Sequence, residues 1–381
     1  MIRGEYMETM RVKPGPQELQ AQVMAAGQCT ACGMCAGLCP YIRFAGDRVR
    51  IVYSCGLEDG NCYRSCPRTP HDLQDLDVQV FGAPREDHLL GTHRDIYYAR
   101  AARAVRPAAA QYGGVTTALI NFAFEQGLID GALLVGGSLE QPLPRLATTP
   151  AGVNNCAGSK YLAVPSLANM LTARRTGLTR PAVVGRPCQV TAVRRLQGLE
   201  NNHQAAPGPA PNLVIGLFCF WALEAAFSAF LTSRTRSRVT KMDITPAEVI
   251  VDTTGGPLSL SLDEVRPFIK PACHTCFDPT AELADVAVGS TEAIPGWNTL
   301  VVRSARGEEL VQEARTARVL EIKPYGAERL PLLREAAWRK KKRVLEALAG
   351  RPEPYLRLPV DYQLAIAGEE VMRDEYYARS S

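Results

Sequence analysis

The sequence predicts an α/β chain (mixed α+β) with a small cysteine-rich module in front and a larger α/β domain behind. Two observations carry this. Seven of the twelve cysteines crowd into residues 27–70 at close, regular spacing. From Gln111 onward, helical apolar spacing alternates with short apolar runs, as expected of strands interleaved with helices. A length of 381 residues suits two or three domains. Apolar residues make up 46% and charged residues 22%, ordinary for a globular protein with a sizeable core. The net charge of +4 is too small to argue for nucleic acid or a membrane surface as partner.

Residues 1–26 read as a polar leader ending in a short helix, with Pro16 near its first turn. The opening MIRGEYMETMRVKPG has no apolar run of signal-peptide type. Residues 27–70 form the cysteine module, whose small size is normal where clusters replace an apolar core. Residues 71–110 read as a connector that ends in a strand over 96–102. The larger domain spans 111–349. Val115, Ala118, Leu119 and Phe122 lie at helical spacing, and Gly127 ends that helix. Strands are expected over 131–135, 181–185 and 213–219, and helices over 165–176 and 189–197, the latter stopped by Gly198. Residues 201–211 are a Pro-rich loop. The apolar stretch 213–231 is long enough to span a membrane, but Glu224 near its middle makes that costly. It divides more naturally into a strand and a helix over 223–231, so no transmembrane segment is expected. Residues 248–254 and 258–262 read as a hairpin, with Leu258, Leu260 and Leu262 alternating with serines. Strands over 285–288 and 300–303, a basic helix over 329–349 and a tail over 350–381 complete the chain.

Cys29, Cys32, Cys35 and Cys39-Pro40 read C-x2-C-x2-C-x3-C-P, the bacterial ferredoxin run. The module is therefore ferredoxin-like. Cys29, Cys32 and Cys35 hold one iron–sulfur cube, with Cys66 its fourth ligand by the crossover rule. Zinc is the alternative, since paired C-x2-C knuckles bind it; here a third and fourth cysteine continue the run instead. The second run, Cys55, Cys62 and Cys66-Pro67, lacks its middle cysteine. Cys39, Cys55 and Cys62 supply three thiolates for a second cube. Asp59 could close the set with a carboxylate oxygen, or be merely solvated. A three-iron cluster or a hydroxide ligand are further options.

Cys188 follows an expected strand, Cys219 ends another, and Cys273 and Cys276 form a C-x2-C loop. Ligands gather at the carboxyl ends of strands in such sheets, so these four could enclose a third cube. The alternative makes Cys188 and Cys219 small buried apolar residues. Cys156 is expected to be unliganded. Reduced, metal-bound cysteines fit a cytoplasmic setting better than a disulfide framework does. Gly113 and Gly114, with Thr116 and Thr117, open a helix whose amides favour a phosphate. Ser159, Lys160 and Tyr161 add hydroxyls and a cation suited to a pyrophosphate. The run Arg339–Arg343 suits an acidic partner or, more simply, a solvated helical face. No serine–histidine–acid set, P-loop or zinc-protease helix is present.

Taken together, the segments CTACGMCAGLCP, CYRSCPRT, GGVTTALINFAFEQGLIDGA, AGSKY, GRPCQVTAVRRL, IGLFC, CHTCFDPTAELADVAVGS and GWNTLVVR resemble one family, the coenzyme F420 hydrogenase/dehydrogenase beta subunits. That family includes flavoprotein subunits of deazaflavin-reducing hydrogenase and formate dehydrogenase, and hydroxymethyl chlorophyll a reductase. The resemblance runs from about residue 27 to about residue 349. It implies FAD in the α/β domain, at Gly113, Gly114, Thr116, Thr117 and Ser159–Tyr161. It also implies a nearby 4Fe-4S cluster on Cys188, Cys219, Cys273 and Cys276, with ferredoxin-type clusters in front: two or three clusters in all. The implied function is that of an oxidoreductase subunit. It would pass electrons between a two-electron carrier (F420, NAD(P)H or similar) and other subunits of a dehydrogenase, hydrogenase or heterodisulfide-reductase-like complex. Hydride transfer to a flavin needs no dedicated acid or base, and none is nominated. Two alternatives stand beside it: a self-sufficient, ferredoxin-dependent flavin reductase of an organic substrate, and a zinc-stapled binding protein.

Overall fold

Apolar strands flanked by amphipathic helices can bury both faces only if helices stack on each side of one sheet. The computed structural model describes residues 14–53, 55–201, 210–245, 247–291, 294–349 and 355–368. The first half of the expected leader, the middle of the Pro-rich loop and most of the tail lie outside the described residues.

The strands, in chain order, are β1 (Ile42–Ala45), β2 (Arg48–Ile51), β3 (His71–Asp72), β4 (Asp95–Ala101) and β5 (Gly131–Gly137). Then come β6 (Pro142–Ala147), β7 (Pro181–Gly185), β8 (Leu213–Leu217), β9 (Val239–Ile244) and β10 (Glu248–Thr253). The last are β11 (Gly256–Ser261), β12 (Val286–Ser290), β13 (Asn298–Val302), β14 (Leu320–Pro324) and β15 (Leu356–Arg357). Eight form one sheet in the order β14-β4-β13-β12-β8-β7-β5-β6. Its centre, β12-β8-β7-β5, is parallel, and antiparallel strands flank it on both sides.

Alternation along the central strands divides the core in two. Ala132, Leu134, Ala182, Ile215 and Val288 face the helices Val115–Glu125 and Ala305–Thr316. Leu133, Val183, Val214 and Ala287 face the opposite way, onto Val190, Val193 and Leu196 of the helix Pro187–Asn201. Cys32 and Met34 of the cysteine module belong to this second core. A small sheet, β11-β10-β9, packs on the helix Ala226–Arg234 through Met242, Val249, Leu260 and Phe227.

Several expectations shift. The helix expected to stop at Gly198 continues to Asn201. Gly198 lies against the side chain of Gln79, on the helix Leu73–Phe81, whose Nε2 donates to the Arg194 carbonyl (2.7 Å). The segment after Pro165 opens as a 3-10 turn, Ser166–Asn169, and becomes α-helical only over Met170–Arg175. Leu262 leaves the hairpin to start a helical turn, which Ser261 and Glu264 cap reciprocally. The stretch 213–231 divides into β8 and the helix Ala226–Arg234, and no described helix is long and apolar enough to cross a membrane. The basic run is not uniformly solvated: on the helix Leu330–Ala349, Lys340 and Lys341 are 3% and 0% exposed.

The cysteine module lies directly on the second core. Gly33 holds φ +90°, and a Cβ there would sit 2.5 Å from the Pro165 carbonyl oxygen. At Gly37, on the helix Met34–Leu38, a Cβ would sit 2.2 Å from the Leu167 carbonyl oxygen. The Leu167 amide donates to the Cys32 carbonyl (3.2 Å) and Lys270 Nζ donates to Asp47 Oδ2 (3.0 Å). Arg195 donates through Nε to the Arg64 carbonyl (2.8 Å) and through Nη2 to Thr69 Oγ1 (3.0 Å).

Candidate functional site

Cys29 and Cys32 lie on the loop that enters the helix Met34–Leu38, and Cys35 lies in its first turn. Ala31, fully buried with φ +51°, and Gly33 curl that loop. Cys66 follows the helix Asn61–Arg64. The fold brings these four thiols within electrostatic reach of one another. Burial is the largest influence on each, with neighbouring thiols adding to it: Cys66 is pushed up to about 12, Cys32 and Cys35 well above the ordinary thiol value, and Cys29 up. The backbone amides of Ala31, Met34 and Arg68 oppose the rise at Cys29, Cys32 and Cys66. Four neighbouring thiols, three of them facing backbone amides, suit a cationic metal–sulfide core, which binds thiolates and balances their negative charge.

A second group gathers beside the first. Burial, then Cys39 and Cys55, push Cys62 up to about 11, and Cys62 in turn acts on Cys35. The Tyr41 amide donates to Cys39 Sγ (3.4 Å). The Asp59 carboxylate is ion-paired with Arg64. Tyr41, Phe44, Val52, Tyr53 and Leu57, all on or near the β1–β2 hairpin, are exposed around this group.

The third group is the one expected at the strand ends. Cys188 lies in the first turn of the helix after β7, and Cys219 follows β8. Cys273 lies in the 3-10 turn Pro271–Thr275, and Cys276 caps it. Burial pushes Cys219 up to about 12; Lys340 and Arg186 oppose, while Cys273 and Cys276 add. Burial and Cys276 raise Cys273, whose sulfur accepts from the Ala222 amide (3.4 Å). Cys188 acts on both Cys29 and Cys32, so the third group adjoins the first. Cys156 stands apart, beside Arg145 and Lys160. All twelve cysteines are free.

The glycine–threonine and Ser159–Tyr161 segments also meet. Gly114, at φ +74°, starts the helix Val115–Glu125. Gly113 lies flush against Asn298, whose buried Oδ1 has no partner among the described residues. Tyr112 donates its hydroxyl to Asp243 of β9, and the Tyr161 hydroxyl lies within reach of Ser159, Tyr112 and the Asp243 charge. Burial, then Asp243, raises both tyrosines, so both remain neutral donors. Thr116 and Thr117 lie in the first turn of that helix. Lys160 turns inward: its Nζ donates to the carbonyls of Cys156 (3.2 Å), Ala157 (2.7 Å) and Gly158 (3.1 Å). A helix start with glycines before it and an unpartnered buried carbonyl suits a phosphate-bearing cofactor with a polar ring edge.

Three methyl groups join these parts. Ala31 of the first thiol loop, Ala163 just beyond Tyr161, and Ala222 beside Cys219 pack together, with Cys273 against them. The sequence did not single out Arg68, Arg186, Tyr112 or Asp243, and placed Lys340 only in a basic run. Arg68 and Arg186 each lie two residues from a cysteine, which was the available sign; Asp243 reaches the site only through the fold of β9.

The relatives of this chain define an oxidoreductase subunit of the electron-transfer kind. The chain belongs to the coenzyme F420 hydrogenase/dehydrogenase beta-subunit family: residues 96–170 match that family's N-terminal part and residues 178–328 its C-terminal part. The coenzyme F420 hydrogenase subunit beta of Methanothermobacter thermautotrophicus is 29% identical over 283 residues, covering 72% of this chain and 100% of that protein. The subunit of the same description from Methanosarcina barkeri is 31% identical, covering 66% of this chain and 90% of its own length. A solved chain of the xenon-derivatised F420-reducing NiFe hydrogenase complex of Methanosarcina barkeri superimposes with a TM-score of 0.65 at 30% identity. It covers 70% of this chain and 94% of that one.

Proposed function

We propose that the chain is the flavin- and iron–sulfur-bearing electron-transfer subunit of a multi-subunit oxidoreductase. It would exchange electrons between a two-electron carrier, of which F420 is the one its relatives are named for, and a partner protein. The proposal includes a ferredoxin-like module over residues 27–70, a connector over 71–110, a cofactor domain over 111–349 and a cytoplasmic setting, where thiols stay reduced. FAD would lie at Gly113, Gly114, Thr116, Thr117, Ser159 and Tyr161, with Lys160 firming the loop that carries the last two. One 4Fe-4S cluster would be held by Cys188, Cys219, Cys273 and Cys276, and a second by Cys29, Cys32, Cys35 and Cys66. A third would be held by Cys39, Cys55 and Cys62 with one further ligand. When bound, a flavin trades electrons in pairs and each cube one at a time, which is the chemistry such a subunit needs.

The observation that carries this reading is the contiguity of the parts. Ala163, beside Tyr161, packs with Ala31, Ala222 and Cys273; Cys188 acts on Cys29 and Cys32, and Cys62 acts on Cys35. Anaerobic purification tests it. The expected product is brown, with FAD and three clusters' worth of iron and sulfide. Cys273→Ser should remove about one cube's iron; unchanged iron would overturn the assignment.

A further inference from the structure

Three cations, Lys340 and Arg68 buried and Arg186 half-buried, surround the strand-end thiols. Lys340, 3% exposed, donates from Nζ to the carbonyls of Cys219 (2.7 Å) and Asp278 (2.8 Å). Arg68, 4% exposed, donates to the carbonyls of Ala272 and Thr275, on either side of Cys273, and stacks over the Tyr355 ring at 4.3 Å. Arg186 precedes Cys188 by two residues and donates to the Val164 carbonyl (3.3 Å). Its charge acts on Cys188, Cys219, Cys273 and also Cys32. None of the three has a carboxylate partner among the ion pairs of the described residues. Asp278, on which the Lys340 charge acts, turns its carboxylate oxygens to the amides of Thr280 (2.9 Å) and Glu282 (2.8 Å).

Cations held by neutral carbonyl and hydroxyl oxygens, with no carboxylate paired directly to them, carry a desolvation cost that those contacts offset only in part. A permanently anionic group among Cys188, Cys219, Cys273 and Cys276 would offset it. Around Cys62 the picture differs: the influences there are burial, Cys39 and Cys55. The nearby charged pair, Arg64 and Asp59, is mutually neutralised.

We infer that Arg68, Arg186 and Lys340 set the redox poise of the strand-end cluster, making it the more readily reduced end of the chain's cluster series. This rests on the reading that Cys188, Cys219, Cys273 and Cys276 hold a cluster. Reduction adds one electron, hence one negative charge, from an external one-electron donor; no bond forms or breaks. A fixed positive charge in a low-dielectric interior favours the more negative state. Cluster potentials respond to such charge and to burial.

Potentiometric titration of the anaerobic full-length protein, followed by electron paramagnetic resonance, tests this. Signals are assigned by their loss in Cys273→Ser and Cys62→Ser. In the unaltered protein, the signal lost in Cys273→Ser should titrate at the higher potential; the opposite order overturns the inference. Arg186→Gln and Lys340→Met should each lower the equilibrium constant for reducing that cluster about tenfold, about 59 mV for one electron. Arg186→Lys and Lys340→Arg should hold it, and the outer signal should not move. An unmoved midpoint in charge-removing variants that keep their iron and sulfide also overturns the inference. Should Cys273→Ser keep all its iron, the cluster assignment itself fails, a distinct result.

Discussion

At His71 an imidazole is held uncharged against its ordinary tendency. Burial is the main cause and the Arg195 and Arg68 guanidinium groups add to it, bringing its pKa down to about 3, although its Nδ1 bonds the Thr69 carbonyl at 2.9 Å. The folded value lies below the unfolded one, near 6.5. Between those values the unfolded chain binds the extra proton, so this contribution is whole above about pH 6.5 and drains away as the pH falls toward 3. The loss is at most about 1.4 kcal/mol per pH unit. Melting curves of the protein and of His71→Gln between pH 7 and 5 should therefore differ in slope, with the unaltered protein losing stability faster on acidification. Parallel curves would contradict it. The grouping of the thiols was legible from spacing because cysteines on short loops cannot lie far apart. The cations were not, since an arginine two residues from a cysteine is ordinary until the fold shows it without a carboxylate.

Among the elements, β7 was read with its observed bounds and β8 nearly so, because a central parallel strand is a short, continuous apolar run. The edges were not: β6 carries Pro142 and Pro144, and β14 carries Glu321, Lys323 and Pro324. Prolines and charges discourage strand-to-strand association between molecules, and the same residues hide a strand from a search for apolar runs. The stop assigned to Gly198 failed; that glycine lies mid-helix against Gln79, far away in sequence. The glycines of the helix Met34–Leu38 lie against a neighbour in the same way. Gly37→Val would drive two methyls toward the Leu167 carbonyl, costing about 1–3 kcal/mol. The expected result is a lower melting temperature with early release of iron. Full iron retention with an unchanged melting point would show that the module does not depend on this contact.

Across the whole molecule, the C-terminal helix Leu330–Ala349 ties the far parts together. Lys341, fully buried, donates to the His88 carbonyl (2.7 Å) and pairs with Glu282 (2.8 Å), which also pairs with Arg85. Trp338 Nε1 donates to the Ile366 carbonyl (2.9 Å), and β15 pairs with β3, so residues 355–368 close over the connector. Lys341→Met leaves Glu282 short of one cation and should cost about 3 kcal/mol. Chemical denaturation would show the loss, and adding Glu282→Gln should recover part of it. The alanine contact has a consequence of another kind. Ala31, Ala163 and Ala222 pack together where the tyrosine loop meets Cys273. Electron tunnelling weakens exponentially with the gap it crosses. A single extra methylene at that junction would therefore register in how fast the subunit conducts long before it registered in whether the chain folds.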